Sequence, residues 1–118
     1  MTRITLTLPW PPSVNRYWRA FNGRVIISKD GRLYRTAAIA ACRGIEPMSG
    51  FVAVRIRAYP PDKRRRDLDN VLKAALDGLV HGGVLEDDSD IHDLRIVRQG
   101  VRDGGELEIE LEAMNGTD

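Results

Sequence analysis

One cysteine, two histidines and no long apolar run remove several classes of function at the outset. With Cys42 as the only thiol, no intramolecular disulfide can form, and a reducing compartment is the natural setting. One cysteine plus His81 and His92, at unhelpful spacings, do not make a zinc site. No apolar stretch approaches the ~20 residues of a membrane span, and the opening MTRITLTLPW lacks the apolar core of a signal peptide. The expectation is a cytoplasmic protein with no membrane partner. Neither an internal repeat nor a linker is visible, so the 118 residues read as one domain, 1–118, large enough for one ordinary core. Net charge is also nearly absent, at +1. That sum hides a segregation: basic residues collect at Lys63–Arg66 and at Arg16, Arg19 and Arg24, acidic ones at 86–93 and 106–112. A polyanionic partner responds to the local field rather than the sum and is not excluded.

The alternation of Ile4, Leu6 and Leu8 predicts a strand over Arg3–Leu8, ended by Trp10-Pro11-Pro12. Residues 13–24 have no clean period and read as an ordered loop. Its Asn15, Arg16, Tyr17, Trp18 and Arg19 suit phosphates and bases, or else pin the loop to the body. Val25–Ile27 predicts a short strand, and Lys29-Asp30-Gly31 a turn. A helix is expected over Leu33–Ile45, burying Leu33, Ala37, Ala38, Ala41 and Cys42, with the thiol a core residue rather than a nucleophile. Phe51–Tyr59 is a strong strand stopped by Pro60-Pro61. Leu94–Val101 is another, followed by Asp103-Gly104-Gly105 as a hairpin turn. In Glu106–Glu112 strict alternation turns Leu107, Ile109 and Leu111 inward and four glutamates to water, a pattern that also suits a sheet edge. The sum is an α+β class: a two-layer domain with one mixed sheet of about five strands and two helices, in the order ββαβαββ.

The chain is organised around KRRRDLDNVLKAALDGLVHGG, residues 63–83. At 100° per residue, Leu68, Leu72, Ala75, Leu76 and Leu79 form an apolar stripe, and Arg66, Asp69, Asn70, Lys73 and Asp77 lie opposite. Gly82-Gly83 would cap the helix end, with His81 a cation placed well for the dipole. Carboxylates at a helix start are favoured by capping and by the dipole, so Asp67 and Asp69 need no function on their own. Yet with Asp67 still non-helical the two can converge on one ion. The loop VLEDDSDIHD supplies Glu86, Asp87, Asp88, Asp90 and Asp93 beyond the other end of the helix. To meet Asp67, that loop must fold back along the helix or come from a partner subunit. Lys73, four residues after Asp69, either pairs with it or neutralises a phosphoryl oxyanion. His92 is either a proton-transfer group or a neutral hydrogen-bonded side chain. Oxygen-only ligation suits Mg²⁺ or Mn²⁺. Lys63, Arg64, Arg65 and Arg66 would then hold the phosphates flanking the metal, whereas alone they would read as solvated surface.

WPPSVNRYW, SKDGRLYR, DKRRRDLDNVLKAALDGL and LEDDSDI together resemble the RusA family of Holliday-junction resolvases over nearly the whole chain. The resemblance implies a small Mg²⁺-dependent homodimeric endonuclease of prophage type. It would cut four-way DNA junctions by paired symmetric incisions that leave 5′-phosphates, in DNA recombination and repair. It places the metal carboxylates on Asp67, Asp69 and Asp88 and the catalytic lysine on Lys73, with Asp87 in a supporting role and Asp90 an alternative to Asp88. Asn15, Arg16 and Lys63–Arg66 become the expected DNA contacts. The rival readings are a non-catalytic module for branched or single-stranded DNA and a small-molecule phosphohydrolase.

Overall fold

A computed structural model describes residues 3–114. Four strands form the main sheet: β1 (Arg3–Pro9), β4 (Val52–Tyr59), β5 (Ile91–Arg98) and β6 (Glu106–Ala113), in the order β1-β6-β4-β5. Only β4 and β5 run parallel, so the sheet is mixed. Between β1 and β4 lie the one-turn helix α1 (Val14–Tyr17), the antiparallel pair β2 (Trp18–Phe21) and β3 (Arg24–Ile27), and the helix α2 (Lys29–Ala41). Helix α3 (Leu68–His81) links β4 to β5. The α+β class is as expected. The predicted strand at 25–27 does not join the main sheet, however, but forms a separate ribbon with residues expected to be loop.

The alternation in the strands decides which face is covered. Leu6, Leu8, Val52, Val54, Ile56, Ala58, Leu107, Ile109 and Leu111 all point to one face and are buried beneath α2 and α3. Strand β6 is not at the edge. It lies between β1 and β4, so the expected row of water-facing glutamates instead meets cations from its neighbours. Arg3 pairs with Glu112 at 3.0 Å, Arg55 with Glu110 at 3.1 Å and Arg57 with Glu108 at 3.1 Å. Arg102 pairs with Glu106 and Glu108. Cross-strand opposite charges stabilise an antiparallel pair where like charges would break it. Nor do β5 and β6 form a hairpin. Both flank β4, and the Asp103-Gly104 turn, closed by Gly105 N–H to the Arg102 carbonyl at 2.9 Å, crosses the end of that strand.

Helix α2 starts earlier than its composition predicts. Ser28 accepts from the Gly31 amide at 3.0 Å as an N-cap, which draws Lys29-Asp30-Gly31 into the first turn. The buried face is therefore Gly31, Tyr34, Ala38 and Cys42, while Leu33 is 59% exposed and Ala37 also faces out. Cys42 is a core thiol whose pKa burial raises. In α3 the deeply buried residues are Val71, Ala74, Ala75, Gly78 and Leu79, and Leu68, Leu72 and Leu76 are only partly covered. Small residues face α2 because the helices touch there. A Cβ added at Gly78 would sit 2.9 Å from the Ala38 Cβ.

Candidate active site

Beyond Tyr59 two prolines end β4, and the basic run is then held by Asp62. Its carboxylate accepts from Arg66 Nη1 at 2.7 Å and from the Arg64 amide at 2.9 Å, and those bonds, Arg66 first, hold its pKa down at about 2. Arg66 also lies over Trp10, 5.6 Å from the ring centroid, and its carbonyl accepts from Arg98 at 2.6 Å. Arg66 is therefore a brace between the two ends of the site. The side chains of Lys63, Arg64 and Arg65 are exposed, and among the described residues the Arg64 guanidinium has only a 3.9 Å approach to Asp62.

The braced loop delivers Asp67 to the N-cap of α3 with extended backbone, φ −86° and ψ 130°. Its side chain makes no capping hydrogen bond, so the carboxylate is not spent on the helix. Asp69 follows in the first turn, exposed, with Lys73 one turn further on and also exposed. Among the described residues no ion pair joins Lys73 to Asp69, which leaves the ammonium available. Beside Asp67 opens a cleft of about 580 Å³ whose wall includes Trp10, Ser13, Arg16, Arg64, Arg65 and Asn70. Arg16 is 75% exposed and pairs, among the described residues, with Asp30 at 3.5 Å; Asn15 beside it is exposed. A smaller cleft of about 340 Å³ lies beyond the Trp10–Arg66 stack, towards Arg98 and Gln99.

Asp88 is not in this cleft. Residues Asp88–Asp90 form a 3-10 turn immediately before β5, N-capped by Asp87, which accepts from the Ser89 amide at 2.9 Å. Because β5 runs parallel to β4, its start pairs with Val52 while its end, Arg98, reaches Arg66. Asp87, Asp88 and Asp90 therefore lie at the far end of α3, whose 14 residues span ~20 Å at 1.5 Å each. Among the described residues, no three metal-capable side chains converge within one chain. Folding back along the helix, one of the two routes open from the sequence, is not what the chain does. His92 stacks on Phe51 at 3.7 Å between ring centroids, in the same region as Asp88 and away from Asp67.

One polar cluster escapes sequence reading. Asp77, expected on the open polar face of α3, accepts from Tyr17 Oη and from Arg35 Nε and Nη2 at 2.8 and 3.0 Å, with His81 Nε2 at 3.5 Å. It ties α1 and α2 to α3. Burial pushes the Asp77 pKa up, but the Arg35 and Tyr17 bonds outweigh it and the net direction is down. A depressed carboxylate contributes stability that is present above its unfolded value and lost as pH falls through the folded one. Asp77→Ala is expected to cost about 2–4 kcal/mol in urea unfolding at pH 7, because it leaves the guanidinium and phenol unpaired. It should also flatten the loss of stability below about pH 4. An unchanged midpoint with an unchanged acid limb would refute that role.

A basic cleft with Asp67 in its wall, and Asp69 and Lys73 exposed on the first turns of the same helix, is a surface suited to a polyanion. The comparisons with known proteins narrow this. The family model "Endodeoxyribonuclease RusA" matches residues 9–112, and the chain belongs to that family. It is 42% identical to Crossover junction endodeoxyribonuclease RusA of Shigella sonnei (strain Ss046) over 117 residues, covering 97% of this chain and 98% of that protein. Identity is 41% to the protein of the same name in Escherichia coli (strain K12) and 42% to that of Enterobacteria phage 82, with the same coverage.

Proposed function

We propose that this protein is a crossover junction endodeoxyribonuclease that resolves four-way DNA by metal-dependent phosphodiester hydrolysis in the cytoplasm, acting as a homodimer. The carrying observation is the pairing of Asp67 and Asp69, free of capping and ion-pair duties, with a basic cleft on the same helix end. The donor set fits a hard divalent cation, Mg²⁺ or Mn²⁺, held by Asp67 and Asp69 with Asp88 as third carboxylate. Once bound, such a cation supplies Lewis acidity and acidified water for attack on phosphorus. The chain's own residues do the rest. Arg16, Arg64 and Arg65 hold the flanking phosphates, Lys73 faces the charge that builds on the phosphoryl oxygens, and Arg66 with Asp62 keeps the loop in register.

The separation of Asp88 from the pair supports assembly in trans. A two-fold axis across the outer edge of β5, perpendicular to the strand, would exchange the two ends of α3 and so carry Asp88 of one copy towards Asp67 of the other. That edge is unpaired in the main sheet among the described residues, and Leu94 on it, registered opposite Val54, is 42% exposed. Two such sites face opposite ways, as paired incisions in a two-fold junction require.

The test is a synthetic four-way junction incubated with the protein and Mg²⁺ or EDTA. Paired 5′-phosphate products in Mg²⁺ alone support the reading; tight binding without cutting in Mg²⁺ or Mn²⁺ favours a non-catalytic module. Arg64→Ala with Arg65→Ala should weaken junction binding by roughly tenfold or more and lower the salt slope by about two. A small-molecule phosphohydrolase would keep its turnover in that variant.

A further inference from the structure

The β2–β3 ribbon plays no part in the cleft, yet it is built like a probe. Its two-residue turn, Asn22-Gly23, has φ of 50° and 73°, the left-handed pair that matches the twist of a tight hairpin. From Arg19 to Val25 every residue is exposed, with Phe21 at 48% and Val25 at 74%. An isolated two-stranded ribbon is marginal in water, so this one must be held from its base. There Ser28 bonds the Arg16 and Tyr17 carbonyls, and Trp18 and Ile27 pack on Tyr17, Tyr34 and Ala74. Tyr17 is locked in turn by its bond to Asp77, which Arg35 holds in place. The root is rigid and the outer half is bare.

The two faces of the ribbon differ. Cross-strand partners share a face, so the register puts Arg19, Phe21, Arg24 and Ile26 together, with Phe21 directly opposite Arg24. The Arg19 guanidinium lies 5.4 Å from the centroid of the Phe21 ring. Among the described residues neither Arg19 nor Arg24 has a carboxylate within ion-pair distance, although Arg16 next to the ribbon does. An exposed aromatic ring between two unpaired guanidiniums is complementary to a ligand carrying both π-faces and closely spaced anions. A second copy of this chain offers no such surface at its charge-balanced sheet face. Nucleic acid does.

We infer that the β2–β3 ribbon is a wedge that enters the branch point of four-way DNA, Phe21 stacking on a base exposed there while Arg19 and Arg24 hold the phosphates on either side. The inference rests on the junction-cleaving reading. In linear duplex every base is already stacked on both sides, and prising a step open costs a few kcal/mol. Where strands exchange, stacking is already interrupted, so the same ring gains contact at lower cost. The ribbon thereby favours branched over linear DNA, a choice the phosphate-holding cleft cannot make because both substrates offer the same backbone.

The experiment measures binding of the full chain to a four-way junction and to linear duplex of the same sequence, in Ca²⁺ to suppress cutting. 2-Aminopurine is placed at the branch point, and oligomeric state is read alongside. Phe21→Ala should lower the ratio of junction to duplex affinity by roughly five- to a hundredfold, the range for losing one stacked base, and should abolish the fluorescence rise seen with wild type. Phe21→Trp should restore both. A junction-selective wild type with an indifferent Phe21→Ala overturns the wedge and leaves the nuclease reading standing. Conversion to monomers by Phe21→Ala also overturns it, because the ribbon would then be a contact between copies. A wild type with no preference for four-way DNA removes the parent reading and this one together.

Discussion

Asp69→Asn is expected to lower junction cutting by at least about a thousandfold, several kcal/mol of lost charge neutralisation at phosphorus. The variant should bind the junction as tightly as wild type, or more tightly, because one negative charge has left a surface that meets phosphate. Asp69 is exposed and, among the described residues, makes no side-chain hydrogen bond or ion pair, so the variant should melt within a few degrees of wild type, the helix-dipole contribution being at most about 1 kcal/mol. The comparison of single-turnover cutting with gel-shift affinity isolates the carboxylate's role. Cutting at the wild-type rate would end the metal-site reading, whatever the family membership.

Mixing two dead proteins should restore activity, and this is the sharper expectation. If Asp88 acts from the partner copy, a heterodimer of Asp69→Asn with Asp88→Asn holds one site in which both lesions coincide and one that is wholly intact. Equal amounts, allowed to exchange subunits, should therefore regain single-strand nicking from near zero. Paired incision should stay absent, because the second site is doubly damaged. If each site were built within one chain, both halves of the heterodimer would be dead and mixing would recover nothing. The outcome follows from topology: the parallel β4–α3–β5 crossover puts Asp88 a helix length away from Asp67. Failure to regain nicking, with subunit exchange verified, would sink the trans arrangement.

The elements legible in the sequence were those with strong periods. Strands β1, β4 and β6 alternate cleanly because one face is buried and the other is not, and Pro60-Pro61 marks the end of β4. The pair Asp67/Asp69 and the basic run before it were legible because they are local. What could not be read depended on partners far along the chain. The ribbon strands are four residues each, too short to show a period, and pair only with each other. Asp77 has the helical position of a solvent-facing acid, and only the arrival of Tyr17 and Arg35, from 60 and 42 residues away, makes it a tie between helices. The buried side of α3 is turned from the leucine stripe towards Val71, Ala74 and Gly78, since close helix approach selects small side chains that carry little hydrophobic signal. That Asp88 stands apart needed strand direction, which residue type does not encode.

The sheet surface turned away from the helices has a consequence for how DNA approaches. Arg3, Arg55, Arg57 and Arg102 interleave there with Glu106, Glu108, Glu110 and Glu112. Opposite charges so closely alternated cancel within about one Debye length, ~8–10 Å in physiological salt. A passing double helix is neither drawn to that side nor driven from it, while the basic cleft at the start of α3 pulls. The molecule thus behaves as a one-sided magnet, and a strand that strikes the wrong side drifts off without being trapped in a dead-end complex.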